Sequence, residues 1–126
     1  MTHAEYVKAA SAACTDAAGA TAKVGVPVDL PGLATYARAV EGIGQRLSSR
    51  LGDLEVPAAD AKKLAALHAA TEEATHAAGQ LADAAGRKDR TAVSAAGDQL
   101  AKTNVGVLAA QAGLPACSTA VGLPGD

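Results

Sequence analysis

Residues 92–117 read AVSAAGDQLAKTNVGVLAAQAGLPAC, and the rest of the chain is organised around this stretch. Its apolar residues recur every three or four positions, which is the spacing of an amphipathic helix. The tripeptide Gly-Leu-Pro at 113–115 is a helix stop, and Cys117 follows it. Because Cys14 is the only other cysteine, the stretch predicts a last helix that can be linked covalently to the first part of the chain.

The same periodicity recurs in three earlier segments. In the second and third segments, the apolar positions alternate by threes and fours, as in helices packed nearly parallel to their neighbours. Short links separate the segments, so consecutive helices are expected to run antiparallel. The prediction is an all-α, up-down-up-down four-helix bundle over residues 1–117, followed by a flexible tail at 118–126. The four predicted helices cover residues of about 2–23, 31–54, 58–85 and 90–112.

Several residues mark the ends of the predicted helices. Thr2 and Glu5 have the spacing of a capping box at the start of the first helix. Pro31 suits the first turn of the second helix, where its missing N–H costs nothing. Gly86 is expected to adopt a left-handed conformation after the third helix, and Asp89 is expected to cap the fourth.

Some residues within the predicted helices are not ordinary core residues. Five glycines each cost roughly 1 kcal/mol relative to alanine, and they either mark close approach of two backbones or reflect a composition rich in small residues. Thr71, Thr103 and Asn104 lie in or beside the apolar seams, where they either fix helix register or line a small polar cavity. Tyr6 and Tyr36 are expected to be core residues. The glycines are Gly42, Gly44, Gly79, Gly97 and Gly106.

The composition argues against several classes of partner. The 126-residue chain has a net charge of −2 and no block of basic residues, so neither nucleic acid nor an anionic membrane surface is an expected partner. No segment has the roughly 18 consecutive apolar residues of a membrane span. Alanine is abundant and aromatic residues make up 2% of the chain, so the core is expected to depend on close helix approach.

The two cysteines bear on the compartment. A Cys14–Cys117 disulfide would close a loop of about 100 residues and contribute roughly 4–5 kcal/mol in the chain-entropy model. Disulfides persist outside the cytoplasm, so this pairing predicts an extracytoplasmic protein, secreted or lipid-anchored through a segment absent from this sequence. The alternative is a cytoplasmic protein with two free thiols. Cys14 is not an expected lipid-attachment site, because Glu5 and Lys8 interrupt the apolar run that such a site requires.

A polar stripe on the third helix is a candidate metal site. His68, Glu72 and His76 lie four residues apart, and Glu73 with His76 matches the Glu-x-x-His spacing of di-iron bundles. A di-iron site needs a second such pair and further glutamates, which the sequence does not supply. The stripe is therefore expected to be a solvated face, with a two-ligand surface site for a metal ion as the alternative. No cofactor is predicted, and no catalytic Ser/His/Asp or Cys/His set is recognised.

Three short motifs are spread over most of the chain. Seven residues separate Tyr6 from Cys14, Val56 and Pro57 lie between the second and third helices, and residues 112–117 read AGLPAC. In an alanine-rich helical chain, these motifs resemble small exported or lipoprotein-type proteins of actinobacteria. The resemblance implies an extracytoplasmic helical domain with one disulfide. Because that family has no established activity, the resemblance assigns no functional residue.

These observations predict a non-enzymatic extracytoplasmic domain that binds a protein or a cell-envelope component. The alternative is a small carrier that holds an apolar ligand in the bundle interior or a metal ion at the stripe of His68, Glu72 and His76. An exposed apolar patch, for instance on the outward face of the second helix, would favour partner binding. An interior cavity of about 300 Å³ or more would favour the carrier.

Overall fold

The computed structural model describes residues 1–118, so the part of the predicted tail at 119–126 lies outside the described residues. Within the described range the chain is all-α and contains no strand. The long helices pack as an antiparallel four-helix bundle, which confirms the predicted fold class. The elements are α1 (His3–Val24), α2 (Leu30–Gly52), α3 (Ala61–Gly86), α4 (Arg90–Ala101), α5 (Val105–Gln111) and a C-terminal 3-10 turn (Pro115–Cys117).

Side-chain caps account for three of the helix starts. The Oγ1 atom of Thr2 accepts from the Glu5 N–H at 3.2 Å, and Oε1 of Glu5 accepts from the Thr2 N–H at 3.1 Å. The predicted capping box is therefore confirmed. Asp29 caps α2 through a 2.7 Å hydrogen bond. Asp89 caps α4 through one of 3.0 Å, as predicted. Each cap satisfies an N–H group that has no partner within its own helix.

The end of α5 confirms the predicted Gly-Leu-Pro stop. Gly113 has a φ of +72°, in the left-handed region that favours glycine. The Leu114 N–H donates to the Ala109 carbonyl at 2.8 Å, and the Gly113 N–H donates to the Ala110 carbonyl at 3.1 Å. This pair of hydrogen bonds is a Schellman motif, which ends the helix and turns the chain.

The end of α3 has the same hydrogen-bond pattern, but its left-handed residue is not the predicted one. Lys88 has a φ of +58°, whereas Gly86 belongs to the last turn of the helix. The Asp89 N–H donates to the Ala84 carbonyl and the Lys88 N–H to the Ala85 carbonyl. These bonds place the turn two residues after Gly86, so the prediction for Gly86 is wrong.

The fourth helix is broken, although the sequence predicts a continuous one over 90–112. A bend at residues 102–104 separates α4 from α5. The Thr103 hydroxyl donates to the Leu100 carbonyl at 2.9 Å, and Asn104 has a φ of +56°. Threonine hydroxyls compete for backbone partners, and asparagine tolerates the left-handed region better than most residues. Thr103 and Asn104 thus end a helix, which differs from the register role expected of them.

The link between α2 and α3 is longer than predicted. α2 ends at Gly52 rather than at 54, and α3 begins at Ala61 rather than at 58. Pro57 opens a separate turn, in which the Asp60 N–H donates to the Pro57 carbonyl at 2.9 Å. This turn uses the residues that would otherwise begin α3.

α2 and α3 form the central antiparallel pair, and Gly44 allows their close approach. A Cβ atom on Gly44 would collide with the Oγ1, Cβ and Cγ2 atoms of Thr75, whereas one on Gly79 would meet the movable end of the Glu41 side chain. At Gly44, the structure supports the close-approach explanation that the sequence left open. A Cβ atom on Gly97 would meet nothing within 4 Å, so that glycine has no such role.

α1 is displaced along the bundle towards the α2–α3 link. Asp16 in α1 pairs with Arg50, near the end of α2, at 2.8 Å. His3 pairs at 2.8 Å with Asp60, which directly precedes α3. Among the described elements, α1 has Cα atoms within 8 Å of α2 and of the 3-10 turn alone. α1 and α4 therefore cover opposite ends of the α2–α3 pair.

This displacement divides the bundle into two halves with different cores. The disulfide half comprises α1, Leu100 at the end of α4, α5, the 3-10 turn and the adjacent ends of α2 and α3; the α4 half comprises the rest of α4 and the other ends of α2 and α3. Bulky residues dominate the first core, including Tyr6, Val40, Ile43, Leu47, Leu51, Leu64 and Leu67. The second core consists of Ala37, Leu81, Ala82 and Ala96, with Leu33 and Val93 at its edge.

Cys14 and Cys117 form a disulfide, as predicted. Their sulfur atoms are 2.03 Å apart and their Cα atoms 4.8 Å apart. Both residues are buried. The displacement of α1 and the turn after Gly113 bring the two cysteines together, and the resulting loop includes most of the chain.

Candidate functional site

The structure separates the residues of the predicted metal stripe. The Nε2 atom of His68 lies 3.3 Å from Oε1 of Glu72, and the His68 side chain is partly buried. His76 is exposed one turn further along α3 and has no ion pair among the described residues. Two histidines eight residues apart on a helix are about 12 Å apart along the axis. His68 and His76 therefore cannot bind the same ion.

The di-iron spacing has no structural counterpart either. Glu73 and His76 are both exposed on the outer side of α3. The residues that the structure describes contain no cluster of three or more His, Cys, Asp or Glu side chains able to hold a metal ion.

A long open groove runs between α3 and α4 in the α4 half, and we call it the α3–α4 groove. Its volume is about 880 Å³. On α3 its lining extends from Ala69 to Arg87, a distance of about 27 Å along the helix. Alanines from both helices form much of its lining: Ala69, Ala84, Ala92, Ala95 and Ala96. These short side chains leave the groove open, although Ala84 and Ala96 are themselves buried at its base.

The charged residues that line the α3–α4 groove are mostly acidic. Glu72, Glu73 and Asp83 contribute carboxylates, and Arg87 contributes one cation. Asp83 accepts a hydrogen bond from Arg38 of α2. The pKa of Arg38 is raised by its hydrogen bonds to Glu41 and Asp83. Glu73 has no ion pair among the described residues, so its charge remains available to a bound partner.

A smaller groove of about 430 Å³ lies between α2 and α3, and we call it the α2–α3 groove. Glu72 and His76 line both grooves, because they form the ridge of α3 that separates them. Ser48 and Thr75 also line the α2–α3 groove. Thr75 donates to the Thr71 carbonyl at 2.8 Å, whereas the buried Oγ atom of Ser48 has no hydrogen-bond partner in the described part of the chain.

The exposed apolar residues do not form the patch considered for the second helix. The large hydrophobic side chains that are most exposed are Met1, Val26, Val28 and Val107, and all of them lie outside α2. Val26 and Val28 belong to the α1–α2 link. In the part of the chain that the structure describes, no helix has the length and apolar character needed to cross a membrane.

Comparison of the chain with protein-family models, with curated proteins and with solved structures gave no match. The resemblance to actinobacterial exported proteins therefore remains a prediction from the sequence motifs.

Sequence reasoning identified the stripe of His68, Glu72 and His76 but missed the α3–α4 groove. A usable signal was present in the sequence. Ala92, Ala95 and Ala96 place small residues on the side of α4 that faces α3, and Glu72 and Glu73 place carboxylates on α3. The groove depends on how α3 and α4 pack together, and helical periodicity alone does not reveal that arrangement.

Proposed function

We propose that the protein is a non-enzymatic extracytoplasmic domain that binds a polypeptide segment of a protein or cell-envelope component in the α3–α4 groove. The observation that carries the proposal is the groove itself, which is open, about 880 Å³ in volume and lined with alanine and carboxylate side chains. Its length of about 27 Å along α3 corresponds to a helix of about five turns.

The lining indicates the chemistry of the partner. Short side chains let a partner helix approach to an axial distance near 8 Å, the close end of helix packing. Asp83 is paired with Arg38, which leaves Glu72 and Glu73 against the single cation Arg87 in the lining, so the complementary segment carries lysine or arginine side chains. A basic, amphipathic polypeptide segment fits both features.

The disulfide supports a location outside the cytoplasm. Cys14 and Cys117 are 103 residues apart in sequence, and their sulfurs are bonded. Structural disulfides of this kind form and persist in oxidising compartments. Secretion and lipid anchoring are both compatible with this support.

The apolar-ligand carrier remains the alternative prediction, and no described contact specifically favours it. Both grooves that involve α3 are open to solvent rather than enclosed. The metal-binding form of that alternative was predicted for the stripe of His68, Glu72 and His76. His68 and His76 are about 12 Å apart along the helix, so a site at His68 and Glu72 is considered separately below.

Site-specific photo-crosslinking in the native cells tests the proposal. A benzophenone amino acid at Ala95, which is exposed in the groove, is expected to crosslink a discrete partner outside the cytoplasm. The matched control carries the same residue at Ala12, which is exposed on α1 and lines neither groove. Glu73→Lys is expected to reduce the Ala95 crosslink at least tenfold, because it reverses a charge that faces the partner.

Two results would contradict the proposal. One is the same crosslinked product from Ala95 and Ala12, which would show that the groove is not selective. The other is a partner crosslinked through Ala95 with a yield that Glu73→Lys leaves unchanged, which would remove the charge argument. Crosslinks exclusively to cytoplasmic proteins would refute the assigned location.

A further inference from the structure

The side chains of His68 and Glu72 are close together but do not form a hydrogen bond. The Nε2 atom of His68 is 3.3 Å from Oε1 of Glu72. This nitrogen is shielded from solvent and has no hydrogen-bond partner among the described residues. In contrast, Nδ1 of His3 lies 2.8 Å from Oδ2 of Asp60, which is an ordinary hydrogen-bond length. The His3–Asp60 pair is therefore hydrogen-bonded, whereas the His68–Glu72 pair is not.

The separation of 3.3 Å matches the spacing of two ligands on a tetrahedral zinc ion. Zinc binds histidine nitrogen and carboxylate oxygen at about 2.0–2.1 Å, so two such ligands at the tetrahedral angle are about 3.3 Å apart. The i, i+4 spacing on α3 places both side chains on the same face of the helix. An ion between the two atoms would give Nε2 a partner.

Residues of α2 support this arrangement. A Cβ atom on Gly52 would lie 3.9 Å from Cε1 of His68, so the imidazole lies beside the end of α2. Ser48 lies one turn earlier on α2, and its buried Oγ atom also lacks a hydrogen-bond partner in the described range. Ser48 and Glu72 line the same groove. Buried polar atoms without partners are rare in native proteins, and bound water or an ion is a usual explanation.

We propose that His68 and Glu72 form a binding site for a divalent transition-metal ion of the zinc class. The two protein ligands are Nε2 of His68 and Oε1 of Glu72, and water occupies the remaining positions, with Ser48 Oγ as a hydrogen-bond partner for that water. Two protein ligands are expected to supply about half of the binding free energy of a four-ligand structural zinc site. The expected dissociation constant is therefore on the order of micromolar to hundreds of micromolar.

Calorimetric titration of zinc chloride into the disulfide-bonded protein tests the site. The wild-type protein is expected to bind one zinc ion. His68→Ala and the nearly isosteric Glu72→Gln are each expected to weaken binding at least tenfold. His76→Ala is the matched control on the same helix, and His3→Ala is the control for the pair with Asp60. Both controls are expected to retain the wild-type dissociation constant within about twofold.

Three outcomes would overturn the inference. Absence of zinc binding by the wild-type protein up to millimolar concentration is the first. Unchanged binding by Glu72→Gln is the second, and it is informative even if His68→Ala disturbs folding. The third is a loss of binding in His76→Ala or His3→Ala as large as that in His68→Ala. These results are independent of the crosslinking experiment, because neither Ala95 nor Glu73 is a proposed metal ligand.

Discussion

The two halves of the bundle contrast in how they are held together. In the disulfide half, bulky side chains such as Tyr6, Leu47 and Leu67 fill the core, and a buried disulfide joins α1 to the 3-10 turn. In the α4 half, the core is small and is made largely of alanine, and α3 is the only described element whose Cα atoms lie within 8 Å of those of α4. The same central helices, α2 and α3, pass through both halves.

The contrast shows how an alanine-rich chain separates stability from accessibility. Burial of apolar area contributes roughly 25 cal/mol per Å², so the bulky core contributes more per residue than the alanine core. The α4 half gains less from packing, but its short side chains leave the α3–α4 groove open. The structural role is therefore concentrated at one end of the molecule and the proposed binding role at the other.

The largest expected effect comes from removing the disulfide. The variant with Cys14→Ala and Cys117→Ala is expected to lose about 4–5 kcal/mol of its free energy of unfolding, because the cross-link closes a long loop in the unfolded chain. The loss can be measured by urea denaturation followed by circular dichroism. Reduction of the disulfide in the wild-type protein should lower the free energy of unfolding by a similar amount. A loss below about 1 kcal/mol would show that the disulfide half is held by packing alone.

A smaller effect is expected at Tyr6, whose ring is fully buried in the disulfide half. Its hydroxyl has no hydrogen-bond partner among the described residues. Tyr6→Phe removes an unsatisfied buried group and is therefore expected to raise the free energy of unfolding by up to about 1 kcal/mol at pH 7. Thermal denaturation of the two proteins measures the difference, and a destabilisation of 1 kcal/mol or more would contradict it.

Tyr6→Phe and the wild-type protein are also expected to differ in how their stability changes at alkaline pH. Burial and then the nearby Asp60 carboxylate raise the pKa of Tyr6 above its ordinary value. Its folded-state pKa is raised, so stability falls as pH increases beyond the ordinary tyrosine value of about 10, where the unfolded chain ionises first. Stability curves between pH 8 and 11 should therefore diverge, with Tyr6→Phe losing less than the wild type. Parallel curves would contradict this account.

Much of the fold could be predicted from the sequence because its determinants are local. The capping box of Thr2 and Glu5, the stop at Gly113 and the alternating seams each depend on residues a few positions apart. The pairing of Cys14 with Cys117 was predictable because the chain has two cysteines, but the sequence also allowed two free thiols. The displacement of α1 could not be predicted, because a periodic seam gives the face of a helix and not its position along its neighbour.

The other differences between the predicted and the observed helix ends arose where local sequence signals of similar strength competed. Thr103 and Asn104 form a two-residue helix stop without glycine or proline, and the helical periodicity on either side of them conceals the break. At the end of α3, Gly86 was the obvious left-handed residue, but the hydrogen bonds of the turn selected Lys88. Such choices depend on the packing of the whole turn rather than on one residue's preference.

The candidate sites were only partly predictable. The sequence placed His68, Glu72 and His76 on one stripe, but it could not show that Glu72 lies beside His68 while His76 has no ion pair in the described range. Side-chain rotamers decide which of these side chains meet. The α3–α4 groove arises from two helices together, so no single segment carries its signal.

Native-state hydrogen exchange tests most directly the claim that stability is concentrated in the disulfide half. The amide of Ala96, whose side chain belongs to the alanine core of α4, is expected to exchange at least about tenfold faster than those of Ala10 and Cys14 in α1, after correction for intrinsic rates, because α4 can open locally. Equal protection in both helices, or slower exchange in α4, would contradict the division of the bundle into a stable half and an accessible half.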